Sequence, residues 1–323
     1  MVSFFKDKSA VAVFWLIIIC FGLHVYSLVH PPDIIIKPAD GFFYYILKPL
    51  LNADAYIASL LYVLIIFLLA LQLNFMLNVL RMQPKPSYTP ALAFILFTAL
   101  MPQFNVITPA LFACNLFIWI LFNASRLYAA PNPKTAIYNF GLLTGLCVIL
   151  YYPSLPLILI AFIALGLIRS FNFTEWFVLI FGLITPAYFL GGYLFLTDQL
   201  GLLPLPQELF GIIRLPLQPP FIITALSVAA VATIWGIFSV QGSGKNVLIQ
   251  VRKSWSVFLI SLIFLAPVFF FIQGAFPLAL FLIMVPAACY TGFAFSNNRT
   301  ILPAIFFWLL LGLSIYNIWI AKY

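Results

Sequence analysis

Two acidic residues in the first long polar segment are the candidates for acid–base chemistry. Asp33 and Asp40 lie within residues 30–54, where acidic and aromatic side chains occur together. A carboxylate at a membrane surface can act as a general base on an acceptor group, or bind a metal ion together with a second acid. The alternative is that both residues are ordinary water-facing charges, beside tyrosines of the aromatic belt that borders a bilayer.

A second polar group has the spacing of one helix face and the chemistry of an anion site. Asn74 and Asn78 are four residues apart and Arg81 follows three residues later, so the three side chains share a face. Arginine donates a planar fork of N–H groups that fits phosphate oxygens. The alternative is structural, with Asn hydrogen bonds between helices and Arg anchors at the membrane surface. The residues expected to line a cavity for an anionic head group are Asn74, Asn78, Arg81, Asn123, Arg126 and Arg169, with Asn139 at the start of a neighbouring apolar run.

Histidine and cysteine form no recognisable metal motif. The two histidines are His24 and His30, and His24 lies near the end of an apolar run, which favours a hydrogen bond to a neighbour over a proton relay. The cysteines lie in apolar runs without paired spacing, which is typical of small buried hydrophobic residues. We therefore predict no metal site, and no particular cofactor is indicated. The four cysteines are Cys20, Cys114, Cys147 and Cys289.

The elements that carry these residues must be membrane helices, because the composition excludes a water-soluble fold. Apolar residues make up 65% of the 323 positions and charged residues 7%, against roughly 45–50% and about 25% in soluble domains. The net charge of +8 is dispersed between apolar runs, which argues against a nucleic-acid partner. None of the seven acidic residues lies in the middle of an apolar run, which disfavours, without excluding, a proton- or sodium-coupled carrier.

Eleven apolar runs predict an all-α polytopic transmembrane bundle, in one transmembrane domain over residues 1–323. A helix needs about 20 residues to cross the bilayer core. Two runs are shorter, and each either crosses with little tilt, lies inside the bundle or forms a re-entrant element; they are 89–102 and 155–168. The predicted spans are 10–29, 55–80, 89–102, 107–125, 136–152, 155–168, 176–197, 219–240, 255–273, 276–296 and 301–320.

Basic residues in the connecting loops predict the orientation. If all eleven runs cross the bilayer, eleven Lys and Arg residues fall on the side of the N-terminus and four on the other side. By the positive-inside rule the N-terminus is in the cytoplasm and the C-terminus is outside, as expected of a multi-pass protein of the cell inner membrane. Residues 41–51 are too short to cross but apolar enough to form an interfacial helix.

Three motifs carry a family resemblance, and they lie at 72–81, 151–153 and 169–186. They are Gln72-Leu-Asn74 leading to Arg81, Tyr151-Tyr152-Pro153, and Arg169-Ser-Phe-Asn172-Phe-Thr-Glu175-Trp176 leading to Gly182-Leu-Ile-Thr185-Pro186. Across roughly residues 55–200 the chain resembles a family of polytopic integral membrane proteins from Bacteroidota that has no established activity. Some members carry the name beta-carotene monooxygenase, but enzymes of that type hold iron with several histidines, and this chain has only two.

The first outside loop also resembles that of polytopic glycosyltransferases that use polyprenyl-phosphate sugars. In those enzymes a long first outside loop carries an acidic residue followed by surface helices. Asp33 or Asp40, followed by residues 41–51, has a similar layout. The usual Asp-Glu pair is absent from this loop, so the likeness is one of architecture, which does not imply the activity.

Two functions are compatible with these patterns. The first is handling of a lipid-linked sugar or lipid in cell-envelope assembly, with an outside acid as catalyst and arginines contacting the anionic substrate. It predicts that Asp40→Asn abolishes function without loss of protein. The second is a non-enzymatic small-molecule carrier or membrane-complex assembly partner, whose bundle bends at prolines inside the spans, namely Pro186, Pro267 and Pro286.

Overall fold

The computed structural model describes residues 2–31, 34–36, 40–52, 54–202, 220–243, 248–267, 271, 277–296 and 301–317. These residues form helices and connecting turns, together with one isolated β-bridge between Ile34 and Ile107. The prediction of an all-α bundle is therefore confirmed. The helices are α1 (Ala10–Val29), α2 (Phe43–Leu47), α3 (Ala55–Val79), α4 (Thr89–Thr98), α5 (Pro109–Arg126), α6 (Pro133–Leu150), α7 (Pro156–Ile168), α8 (Phe173–Leu196), α9 (Pro220–Ser243), α10 (Ile249–Leu265), α11 (Leu280–Ser296) and α12 (Leu302–Ile315).

Helix starts follow local chemistry that the sequence displays. Six of the described helices have a proline in their first turn, where its missing N–H leaves no hydrogen bond unmade; they are α4, α5, α6, α7, α9 and α12. Side-chain oxygens cap three others, since Ser9 accepts from Ala12 N, Asp54 from Tyr56 N and Asn172 from Thr174 N.

Each predicted span overlaps one of the helices longer than α2. In the described part of the chain, five helices are long and apolar enough to cross a membrane by length and composition. Those five are α3, α5 with its following turn, α6, α8 and the Ile222–Ser243 part of α9. The outward face of α8 carries large exposed apolar side chains, including Tyr188 at 73% and Phe189 at 70%. Such a surface needs a lipid environment, which supports a membrane protein.

Two predicted boundaries near the C-terminal half differ from the structure. The run at 255–273 corresponds to α10, which starts at Ile249 and ends at Leu265. Pro267 therefore lies in the turn after α10, and the expectation that it kinks a span is wrong. Pro186 and Pro286 do lie inside helices, α8 and α11.

One of the two short predicted spans, 89–102, lies in the interior of the bundle. All ten residues of α4 are buried, and α11 packs directly on it. A Cβ atom added to Gly292 of α11 would lie 2.5 Å from Cα of Pro90, so only glycine allows this approach. Ten helical residues rise about 15 Å, roughly half of a bilayer core of about 30 Å.

A second close helix pair joins α6 to α8 through glycines. A Cβ atom on Gly141 would lie 2.7 Å from the Leu179 carbonyl oxygen, and one on Gly182 would lie 2.5 Å from the Tyr138 carbonyl oxygen. Gly145 meets the next turn of α8 in the same way. Small residues four apart let membrane helices approach closely enough for extensive van der Waals contact.

Helix ends at one end of the bundle carry most of the described basic residues, and we call this the basic end. Tyr88 N, before α4, donates to the Phe5 carbonyl at 2.8 Å. Lys253 Nζ, near the start of α10, donates to the carbonyl of Ile168, the last residue of α7, at 2.9 Å. At the opposite end, Phe42 N donates to the Ile149 carbonyl near the end of α6 at 3.1 Å. Residues 40–52 thus lie against the opposite end.

Candidate functional site

Three cavities adjoin one another at the basic end, with volumes of about 580, 670 and 420 Å³. Arg81 lines the first and the second cavity, and Arg126 lines the second and the third. Two of the arginines that sequence spacing singled out therefore lie along one continuous concave surface. Asn123 and Asn139 also line the third cavity.

The first cavity has an apolar wall with cations at one side. The apolar surface comes from three helices, through Ile237 of α9, Leu259 of α10 and Phe293 of α11. The guanidinium groups are those of Arg81 and Arg252. Volumes of about 300–1,000 Å³ are typical of small-molecule sites, which combine apolar walls with a few polar groups. The arrangement fits an amphiphile whose anionic head meets the arginines.

Arg81 holds an unusual backbone conformation. Its backbone φ angle is 52°, in the left-handed region, which residues other than glycine and asparagine rarely adopt. The residue follows the C-terminus of α3, where Met82 N donates to the Leu77 carbonyl at 3.0 Å and Arg81 N to the Asn78 carbonyl at 3.2 Å. This is the Schellman hydrogen-bond pattern, whose left-handed position is usually glycine. An arginine at this strained position suggests that its side chain has a functional role.

The second and third cavities meet around Arg126 at the end of α5. The Arg126 guanidinium lies 5.2 Å from the centre of the Phe122 ring, a cation–π contact that holds it near the surface. Asn123 Nδ2 donates to the Trp119 carbonyl at 2.9 Å, which leaves its Oδ1 as an acceptor. Gln250 Nε2 donates to the Ser125 carbonyl at 3.2 Å and ties the start of α10 to the end of α5.

Arg169 lies apart from these cavities, in a structural contact. Its Nε and Nη2 donate to the two carboxylate oxygens of Glu175 at 2.8 and 2.9 Å, and its Nη1 donates to the Leu127 carbonyl at 3.1 Å. Glu175 is buried and lies in the first turn of α8. The ion pair therefore joins the ends of α5 and α7 to the start of α8, and both of its residues belong to the 169–186 motif.

The two remaining candidates on α3 contact the protein interior. Asn74 is buried, and Asn78 Nδ2 donates to the Ser87 carbonyl at 3.4 Å. Neither residue lines the three cavities. Asn74 and Asn78 do lie one turn apart on α3, but Arg81 lies beyond the end of that helix, so the prediction that all three side chains share one helix face is wrong for Arg81. Of the three, Arg81 alone reaches the concave surface.

Asp40, the acidic candidate that the structure describes, lies at the opposite end of the bundle. Asp33 lies outside the described residues. Asp40 is half-buried and lies close to Tyr151, which directly follows the end of α6. Along α6, the step from Ala136 in the third cavity to Leu150 near Asp40 is about 21 Å. Asp40 and Arg126 therefore do not form one site.

The cysteines and His24 occupy interior positions, whereas His30 is exposed. All four cysteines are buried and free. His24 Nδ1 lies 2.9 Å from the Cys20 carbonyl oxygen, as expected for a local hydrogen bond. The described residues contain no group of three or more His, Cys, Asp or Glu side chains that could hold a metal ion.

Sequence reasoning missed Arg252, Gln241 and Trp255 in the first cavity. The predicted span began at residue 255, whereas α10 begins six residues earlier, at Ile249. A useful signal was present, since Arg252, Ser256 and Leu259 follow the i, i+4, i+7 spacing of one helix face.

Comparison with protein-family models, with curated proteins and with solved structures finds no match to this chain.

Proposed function

We propose that this chain is an inner-membrane protein with eleven spans that binds an amphiphile carrying an anionic head group. A lipid-linked sugar or a lipid of envelope assembly has this chemistry. The observation that carries the proposal is the first cavity, where Arg81 and Arg252 stand beside a wall of apolar side chains. Membership of the Bacteroidota family is proposed from the sequence motifs alone.

The basic end is proposed to face the cytoplasm. It gathers the arginines at the ends of α3, α5 and α7 and the basic residues at the start of α10, and positive residues accumulate on the cytoplasmic side of membrane proteins. In this orientation the first cavity opens at the level of the inner leaflet, where the head groups of lipids lie.

The guanidinium groups account for the preference for an anion. Arginine binds phosphate and carboxylate groups in bidentate fashion, and its charge persists at every physiological pH. Trp255 and Tyr290 in the same cavity suit the boundary between head group and acyl chain, because their rings are apolar with one polar edge.

Binding, and not a reaction, is what the first cavity supports. Its lining side chains include no carboxylate among the described residues. Catalysis by Asp33 or Asp40 at the opposite end stays a separate prediction, and a carrier that moves the amphiphile between the two ends is the second candidate. The prolines inside α8 and α11 favour this second candidate, since they free backbone carbonyls and allow bending.

The test is mass spectrometry of the lipids that stay bound to the protein purified in nanodiscs. The native chain is compared with Arg81→Gln and Arg252→Gln, which keep a polar side chain and remove the charge. Lys134→Gln is the matched control, because Lys134 also lies near the basic end, on α6, and lines none of the three cavities.

We expect selective retention of one class of anionic lipid by the native chain and by the control, and a loss of at least tenfold in each arginine variant. One charge-assisted hydrogen-bonded pair of about 1.5–3 kcal/mol corresponds to that factor or more. Retention of bulk phospholipid alone, equal in all four proteins, would show that the cavity has no such ligand.

A further inference from the structure

The connection between α4 and α5 is irregular backbone held inside the bundle. α4 starts at the basic end and rises only about 15 Å before it ends at Thr98, and α5 starts at Pro109. Residues between them, such as Met101, Phe104 and Ile107, are buried. Non-helical backbone at membrane depth is found where it is buried in protein or lines a cavity. We call residues 99–108 the α4–α5 junction.

Three polar side chains in this junction have buried atoms with no hydrogen-bond partner among the described residues. Gln103 Oε1, both amide atoms of Asn105 and Thr108 Oγ1 are buried and make no hydrogen bond to the described residues. Asn105 is only 8% exposed and Thr108 is fully buried. Each such group costs about 1–3 kcal/mol unless something satisfies it. Three of these atoms are oxygens, and three oxygens without a partner among the described residues, within six positions of sequence, indicate a ligand that oxygen atoms bind.

Asn317 brings the C-terminal end of α12 to Leu100, at the start of the α4–α5 junction. It lies two residues beyond the C-terminus of α12, is fully buried, and donates from Nδ2 to the Leu100 carbonyl at 2.8 Å. Its Oδ1 also has no partner among the described residues. Leu100 itself lies two residues beyond the C-terminus of α4. Two helix C-termini, each with a partial negative charge of about one half, thus converge at the junction.

The charge pattern suits a small cation. Neutral side-chain oxygens, unwound backbone and helix C-termini are the groups that hold monovalent cations inside membrane proteins. Residues 86–125 contain no Lys or Arg that would repel a cation, and no Asp or Glu. A cation of charge +1 needs no full counter-charge when several oxygen dipoles replace its hydration shell.

We propose that the α4–α5 junction is a binding site for a small monovalent cation, with Asn105, Thr108 and Asn317 as side-chain oxygen ligands. The fourth proposed ligand is the side-chain oxygen of Gln103. The site is independent of the head-group cavity, because α4 separates it from the loop that carries Arg81.

The experiment measures thermal unfolding of the full chain in detergent at one ionic strength in NaCl, KCl or choline chloride. A ligand that binds only the folded state raises the melting temperature as its concentration rises above Kd. We expect a rise in Na⁺ or K⁺ relative to choline, and loss of that rise in Asn317→Leu.

Asn105→Asp is the second variant, because it preserves size and adds a charged ligand. We expect its response to shift to at least tenfold lower cation concentration. Gln199→Glu, at an exposed position, is the control for an added charge and should behave as the native chain does. Coincident melting curves of the native chain in all three salts would overturn the proposal, as would an unchanged cation midpoint in Asn105→Asp.

Discussion

Replacing Arg81 by glycine separates the backbone role of this residue from the role of its side chain. A residue other than glycine in the left-handed conformation carries roughly 1–2 kcal/mol of strain. Glycine removes that strain but adds about 0.5–1 kcal/mol of conformational entropy to the unfolded chain. We therefore expect Arg81→Gly to raise the free energy of unfolding by roughly 0.5–1 kcal/mol, while it removes a guanidinium from the first and second cavities.

Both effects are measured on the same purified protein, by denaturant unfolding in detergent micelles and by mass spectrometry of retained lipid. Asp198→Gly is the matched control. Asp198 has a φ of 53° and follows α8 with the same hydrogen-bond pattern, in which Gln199 N donates to the Leu194 carbonyl at 2.8 Å. Its replacement should stabilise the fold less, since Asp tolerates this conformation better than Arg, and should leave lipid retention unchanged.

Two results would refute this reasoning about Arg81. A loss of stability of more than about 1 kcal/mol would show that the side chain holds the fold together, because it exceeds the entropy term with no relief of strain. A gain of stability with full lipid retention would show that the strained arginine does not serve the head-group cavity.

Two further predictions concern the close helix contacts. Gly145→Ala places a methyl group against the α8 backbone and should lower the free energy of unfolding by about 1–3 kcal/mol, whereas Gly22→Ala, with open space around it, should be neutral or stabilising in the same thermal-unfolding assay. Arg169→Ala leaves the buried Glu175 carboxylate without its bidentate partner and should cost somewhat less than the roughly 3–5 kcal/mol of a fully buried pair, because Arg169 is 24% exposed. Full stability of Arg169→Ala, or restoration of lost stability by anionic lipid alone, would contradict the structural role.

The helical bundle was predictable because its causes are local. Runs of apolar residues such as 55–80 and 176–197 exceed the length that crosses a bilayer, and each coincides with a long helix, α3 and α8. Boundaries were less predictable where a helix begins with polar residues. α10 starts at Ile249 because Gln250, Arg252 and Lys253 contact neighbouring helix ends and cavities, which hydropathy does not register.

The candidate site was predictable in part. The spacing of Arg81 and Arg126 from nearby asparagines identified two residues of one concave surface, although Arg81 follows the end of α3 and Arg126 is the last residue of α5. Arg169 has the same residue type and the same kind of position at a helix end, yet Glu175 engages it. Whether an arginine is available to a ligand depends on the position of the nearest carboxylate, and here that carboxylate is supplied by the first turn of the next helix.

The sequence by itself determined that this protein is an all-helical, membrane-type bundle, because hydropathy and helix length are properties of contiguous residues. Only the tertiary structure decided that α4 lies inside the bundle, that Arg252 joins Arg81 in one cavity, and that Asp40 and Arg126 lie near opposite ends of α6, which rises about 21 Å from Ala136 to Leu150. Glycine contacts such as that between Gly292 and Pro90 set how closely neighbouring helices approach. They depend on how the surfaces of different helices fit together, a property that no single segment contains.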